Sequence, residues 1–180
     1  MKKFKTIDIV TVSLAAALMC ICAWIQIPSA VPFTLQTFAV FFIALVLGAG
    51  KGFLAAMIYT LLGIVGLPVF SGFRSGISAL LGPTGGYIIG FMFCVLVVGA
   101  LADKKGLSLP FAIIYIVTGL VICHTAGTLW YAFIYSKGNV TGAFSVCVLP
   151  FIVPDVIKAS FALIIAKKVL PIIKKISPNR

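Results

Sequence analysis

What most limits the fold of this chain is the exclusion of charge from long apolar stretches. Of its 180 residues, 62% are hydrophobic and only 9% are charged, whereas soluble domains have about 45–50% and about 25%. One water-soluble core cannot bury so much apolar surface, so lipid is the expected solvent for most of the chain. Candidate spans are residues 8–27, 36–49, 52–67, 85–102, 109–133 and 146–170. A span needs about 20 mainly apolar residues. The second and third candidates are short and flank Gly48-Ala49-Gly50-Lys51-Gly52, a natural tight turn. The expected fold class is an all-α polytopic membrane protein, a six-transmembrane-helix bundle. Residues 1–180 would form a single integral-membrane, substrate-binding domain without internal repeats.

Loop charge predicts orientation. With six spans, both termini and the 2–3 and 4–5 connections share one side. That side holds Lys2, Lys3, Lys5, Lys51, Lys104, Lys105, Lys167, Lys168, Lys174, Lys175 and Arg180, while the other holds Arg74 and Lys137. The positive-inside rule then makes the N and C termini cytoplasmic. The expected location is the bacterial cytoplasmic membrane, crossed many times. Connections on the opposite side are longer, nearly uncharged and rich in Pro, Gly, Ser and Thr. Loops 1–2 and 3–4 are expected to fold over the bundle as a lid, since irregular backbone at that depth is tolerated where it lines a cavity.

The net charge of +11 would suggest nucleic acid in a soluble protein. Here the positive residues sit between apolar runs, where they set orientation and meet anionic lipid headgroups. No basic face is interleaved with stacking aromatics, so no nucleic-acid partner is expected. Cys20, Cys22, Cys94, Cys123 and Cys147 lie in or beside apolar runs and read as reduced packing residues. The run from Ile9 to Ile27 is too long for a signal peptide's apolar region, and is expected to be a retained first span.

The strongest site signal is Pro154-Asp155-Val156-Ile157-Lys158 in the last span. Asp155 and Lys158, three apart, share one helical face. An ionisable residue in a span costs at least about 2.5–3.5 kcal/mol at the midplane. Two on one face point to mutual pairing or to a shared polar ligand; a later start of the last span, with Asp155 at the outer interface, is the alternative. The carboxylate accepts N–H groups and the ammonium donates to a carbonyl or carboxylate.

Other candidates flank the outer mouth. Thr34, Gln36 and Thr37 follow Pro32 at the head of span 2; Thr34 also suits a helix cap, whereas Gln36 does not. Gly82-Pro83-Thr84-Gly85-Gly86-Tyr87 opens span 4. Gly85 and Gly86 would let backbone approach a ligand at a helix N-terminus, and Tyr87 adds a ring and a hydroxyl; a plain turn and helix start is the alternative. Arg74, in the 3–4 loop, reads either as a clamp on a ligand carboxylate or as a solvated charge. On span 5, Tyr131 is expected to face the cavity. His124 has no second ligand at metal spacing and reads as packing or weak lining; Trp130 and Tyr135 suit an interfacial belt.

Several chemistries are not supported. Gly48–Gly52 resembles a phosphate-binding loop, but Leu45 and Gly52 stand where that motif needs Gly and Ser or Thr. The chain is then expected to carry no ATP site of its own, and any energy it uses would come from a partner or an ion gradient. An intramembrane enzyme built on Asp155 and His124 would lack a second carboxylate, a metal set or a nucleophile–base pair. No metal or cofactor is expected. A stand-alone transporter would be supported by inverted repeats, and the sequence shows none. In span 1, Ser13/Ala17 and Ala16/Cys20 are small residues four apart, suited to close helix contact within lipid.

Together, Val31-Pro-Phe-Thr-Leu-Gln-Thr37, Gly66-Leu-Pro-Val-Phe70, Gly82-Pro-Thr-Gly-Gly-Tyr87 with Ile88-Ile-Gly-Phe91, and Pro154-Asp155 with Lys158 resemble the BioY family. These are the biotin-specific S components of energy-coupling-factor (ECF) transporters. The resemblance implies a six-helix S-component bundle that binds biotin near its outer face under loops 1–2 and 3–4. Asp155 and Lys158 would contact polar parts of biotin, the ureido ring foremost. The implied partners are a transmembrane coupling subunit and two cytoplasmic ATPases. Where the family carries Ala-x-x-x-Ala on helix 1 for the coupling subunit, this sequence departs, offering Ser13/Ala17 or Ala16/Cys20. Where a Gly-rich 3–4 loop is usual it has Phe73-Arg74-Ser75, so the clamp role of Arg74 comes from its chemistry alone. The alternatives are an S component for another vitamin and a stand-alone biotin transporter.

Overall fold

The computed structural model describes residues 5–176. Lys2, Lys3 and Arg180, counted above for orientation, lie outside the described residues. The first helix, α1 (Thr6–Trp24), begins where Asp8 Oδ2 accepts the Lys5 N–H at 3.0 Å. An acid in the first turn satisfies an otherwise orphan donor and complements the positive end of the helix dipole. The chain then forms a short antiparallel ribbon, β1 (Gln26–Ile27) with β2 (Phe33–Thr34), pairing Gln26 with Thr34 and Ile27 with Phe33. Loop 1–2 therefore has a regular backbone of its own.

Element α2 (Gln36–Val65) is helical on both sides of a break at Gly48 (φ 74°, ψ −173°). In an unbroken helix, residues 36 and 59 would lie about 34 Å apart at 1.5 Å per residue. Instead Gln36 Nε2 donates to the Tyr59 hydroxyl at 2.7 Å. The two arms are therefore antiparallel. Gly48 makes this possible twice over: its φ is one that side chains resist, and a Cβ there would overlap the Asp103 carboxylate. Asp103 Oδ2 in turn accepts the Ala49 N–H at 3.0 Å.

A 3-10 turn at Ser71–Phe73 and the short α3 (Gly76–Leu80) lead into α4 (Gly85–Lys105) and α5 (Leu109–Ile134). The expected sixth span is broken. Helix α6 (Val140–Cys147) and helix α7 (Ile152–Ile176) meet at a 50° bend. Pro154 falls in the first turn of α7, where its missing N–H leaves no helix bond unmade. The break puts Asp155 near a helix N-terminus rather than deep within a continuous span.

Among the described residues four helices, α1, α2, α4 and α5, are long and apolar enough to cross a membrane, and the bent pair α6–α7 is a further broken candidate. The core lies between α1, α2 and α4, around fully buried Tyr59, Phe41, Met19, Ile43 and Val95. Large apolar side chains such as Leu14, Phe93, Ile113, Val117 and Phe161 point outward instead. That distribution is the one lipid selects, because the outer face of a bundle has no water to avoid. The chain is a multi-pass membrane protein. One end of the bundle gathers the start of α1, the Gly48 turn and the end of α4 through Asp8, Lys51 and Asp103. The last turns of α7 reach that end as well, where Val169 and Ile173 lie beside Thr11, Val46 and Leu47. The β-ribbon, the 3-10 turn and the start of α7 occupy the other end.

Candidate functional site

At the ribbon end a cavity opens between α2, α4 and α7. Its floor and walls come from Gln36, Thr37 and Tyr59 of α2, Tyr87, Ile88 and Phe91 of α4, and Asp155 and Lys158 of α7. Val31, Pro32 and Thr34 close it from the ribbon, Ser71 and Thr84 from the loop before α4, and Phe151 from the α6–α7 break. The enclosed space is about 40 Å³. That admits a few waters and falls short of the roughly 300–1,000 Å³ of small-molecule sites. A ligand larger than water must therefore displace part of the roof.

Asp155 and Lys158 carry the charge. Asp155 is 5% exposed and lies in the first turn of α7, where the helix dipole favours a carboxylate. Its Oδ1 accepts Lys158 Nζ at 2.8 Å, and His124 Nε2 stands 3.3 Å from its Oδ2, off the hydrogen-bond direction. Lys158 does more than pair. Its ammonium donates to the Thr34 carbonyl at 2.8 Å and lies 4.0 Å from the centroid of the Phe33 ring. One lysine thus joins α7 to the ribbon by a charge-assisted hydrogen bond and a cation–π contact. Thr34 contributes its backbone carbonyl to this tie, and its hydroxyl accepts the Gln36 N–H at 3.3 Å.

Tyr87 presents its ring to the cavity and donates its hydroxyl to the Cys147 carbonyl at 2.6 Å, an acceptor left open where α6 ends. Gly127 of α5 makes room for that ring, since a Cβ there would collide with it. The roof is cross-linked. Ser71 donates to the Gln26 side chain, the Trp24 indole donates to the Pro68 carbonyl at 2.9 Å, and Trp24 stacks on Phe73 at 5.3 Å. Loops 1–2 and 3–4 thereby form one connected cover.

Of the residues singled out in the sequence, Asp155, Lys158, Gln36, Thr34, Thr37 and Tyr87 are brought together on this cavity. Four others are not on its wall. Arg74 is exposed and donates from Nε to the Ser71 carbonyl at 3.1 Å. Tyr131 stacks on Tyr135 at 5.6 Å. Gly85 and Gly86 are buried where α4 meets its neighbours: a Cβ on Gly86 would overlap Trp130 of α5, and one on Gly85 the Leu80 carbonyl at the end of α3. The Gly85 and Tyr87 amides are already bonded to the Gly82 and Thr84 carbonyls. Sequence reasoning missed Tyr59 and Ser71, whose polar atoms reach the site only by folding. A Tyr inside a long apolar run was the one available signal for the former, because a buried hydroxyl needs a partner. On α1, the structure separates the two small-residue registers: Ala16 and Cys20 are buried, Ser13 and Ala17 exposed.

An acceptor and a donor side by side, walled by aromatics and enclosed, suit a small ligand carrying N–H and C=O on one edge. Among the described residues no group of three or more His, Cys, Asp or Glu is placed to hold a metal.

Comparison with known proteins adds to this geometry. The BioY family matches residues 1–175. The chain is 40% identical over 174 residues to the biotin transporter BioY of Thermotoga maritima, covering 96% of this chain and 99% of that one. It is 40% identical over 167 residues to the probable biotin transporter BioY of Pyrococcus horikoshii, covering 91% and 96%. In fold it is similar to the crystal structure of an S component for biotin from an ECF-type ABC transporter. The TM-score is 0.84 at 24% identity, over 93% of this chain and 94% of that one.

Proposed function

Because this chain belongs to the BioY family, we propose that it is the biotin-binding S component of an ECF-type transporter, performing capture and delivery rather than a reaction. The observation that carries this is the Asp155–Lys158 pair in the wall of a roofed cavity. A cyclic urea offers N–H and C=O on one edge. The N–H groups suit Asp155 and the carbonyl suits Lys158, with Gln36 and Tyr59 as neutral partners. Tyr87, Phe91 and Phe151 supply apolar area for a fused ring system.

Entry requires Lys158 to release the Thr34 carbonyl so that the ribbon can lift. The ammonium then exchanges one acceptor for another, and recovers the tie when the cover closes over the ligand. Exclusion of water strengthens each polar contact. The ligand carboxylate is left toward the loops, where Arg74 is the nearest cationic candidate by sequence.

Six membrane crossings follow if the two arms of α2 each cross and α6–α7 counts as one. The basic residues Lys51, Lys104, Lys105, Lys174 and Lys175 support a cytoplasmic location for the end that gathers α1 and α7. The coupling subunit and two ATPases are the partners that would supply energy. The exposed Ser13/Ala17 strip on α1, beside exposed Val10, Leu14 and Ile21, supports that register for the coupling-subunit contact. Ala16 and Cys20 then belong to the protein's own packing. Titration of the purified protein with biotin, thiamine and riboflavin tests the reading. Saturable binding of biotin alone is expected; preference for either other vitamin would overturn it.

A further inference from the structure

Resting on that reading of the site, we infer that His124 is a positioning residue for the ligand-binding carboxylate of Asp155. His124 lies on α5, is 7% exposed and is absent from the cavity wall. It stands one layer behind it, facing an apolar groove of about 370 Å³ between α5 and the α6–α7 pair. Its ring spans the two parts of the site that the broken helix must keep in register. Nδ1 is 3.2 Å from the Cys147 carbonyl at the end of α6, and Nε2 is 3.3 Å from Asp155 Oδ2 in the first turn of α7. Tyr87, which lines the cavity, meets the imidazole edge-on at 6.1 Å and donates to the same Cys147 carbonyl.

A carbonyl only accepts, so Nδ1 is a donor; Nε2 becomes a second donor in the imidazolium form. Nε2 has no aligned hydrogen-bond partner in the closed site, and the atom nearest to becoming one is Asp155 Oδ2, 3.3 Å away. Such contacts lengthen in empty sites and tighten in loaded ones. The consequence is a division of labour across one carboxylate. Oδ2 is held from behind by His124, and Oδ1, which Lys158 occupies at 2.8 Å, is the oxygen presented to the ligand. When Lys158 turns to the ligand, Asp155 keeps its orientation because its second anchor lies on a different helix.

Two substitutions separate this role from mere packing. In His124→Gln the amide nitrogen takes the place of Nε2 and can reach Asp155. In His124→Asn it takes the place of Nδ1 and can reach only Cys147. Biotin Kd is measured on purified full-length protein by titration calorimetry, with thermal unfolding as a check on folding. His124→Gln is expected to stay within about threefold of wild type, and His124→Asn to weaken binding about tenfold, the scale of one hydrogen bond to a charged group. In the Asp155→Asn background, His124→Asn should have no further effect, since its effect is exerted through that carboxylate. Equal affinities for both single variants, the reverse order, or multiplicative losses in the double variant would overturn the inference. A wild-type protein that does not bind biotin would overturn the functional reading itself, and this inference with it.

Discussion

Among the described residues two aspartate–lysine pairs with buried carboxylates lie at opposite ends of the bundle, and they are built for different purposes. Asp155 and Lys158 are 2.8 Å apart on one helix turn; Asp8 and Lys51 are 2.6 Å apart and join α1 to the Gly48 turn across 43 residues of sequence. Both aspartates are equally withdrawn, at 5% and 3% exposure. Neither distance nor burial therefore distinguishes them. What differs is what each pair faces. The first forms part of a cavity wall, and its lysine also holds the ribbon that roofs the cavity. The second is clamped among helix ends, beside the Asp103–Ala49 bond. A pair closed within one helix can open toward a ligand without parting two helices; only the tie from Lys158 to the ribbon is released. A pair that joins two distant elements cannot open without loosening the bundle.

The largest test of this contrast is Asp155→Asn. It should weaken biotin binding by roughly 100-fold, about 3 kcal/mol for losing a charged acceptor and leaving Lys158 uncompensated. Calorimetry showing wild-type affinity would remove Asp155 from the site. Lys51→Met should act in the opposite sense: about 3 kcal/mol less stable, from breaking a buried pair, with biotin Kd unchanged. Denaturation in detergent and a parallel titration check both halves, and a substantial loss of affinity would mean that the two ends are coupled. Tyr59→Phe removes the donor–acceptor partner of Gln36 and should weaken binding about fivefold, near 1 kcal/mol. Ser71→Ala, which cuts the side-chain link from the 3–4 loop to Gln26, is the smallest change. About a two- to threefold faster biotin release is expected, at the low end for a neutral hydrogen bond, visible by stopped-flow; unchanged release would mean that the two loops open separately.

The comparison also explains what could be foreseen. Asp155 and Lys158 were legible because two ionisable residues three apart in an apolar run already share a helical face. Asp8 and Lys51 were not, since nothing in a linear chain announces that residues 43 apart will meet. The same distinction runs through the polar neutral residues. Gln36 sat at an expected helix start, whereas its partner Tyr59 lies on the returning arm of α2 and became part of the site only through the turn at Gly48. Arg74, Gly85, Gly86 and Tyr131 read as ligand contacts from their chemistry alone. In the closed structure the glycines let α4 close on Trp130, and Tyr131 stacks on Tyr135.

From its sequence alone, this chain is committed to lipid, to helices joined by a glycine turn, and to a local acid–base couple on its last helix. These rest on hydrophobicity, backbone freedom and helical spacing, all short-range properties. Only the tertiary structure decided that the last span is broken ahead of Asp155, that the loops interlock into one roof, and that His124 stands behind the carboxylate. Each of these depends on side chains distant in sequence finding the same few ångströms. Close packing determines such meetings, and no local pattern encodes it.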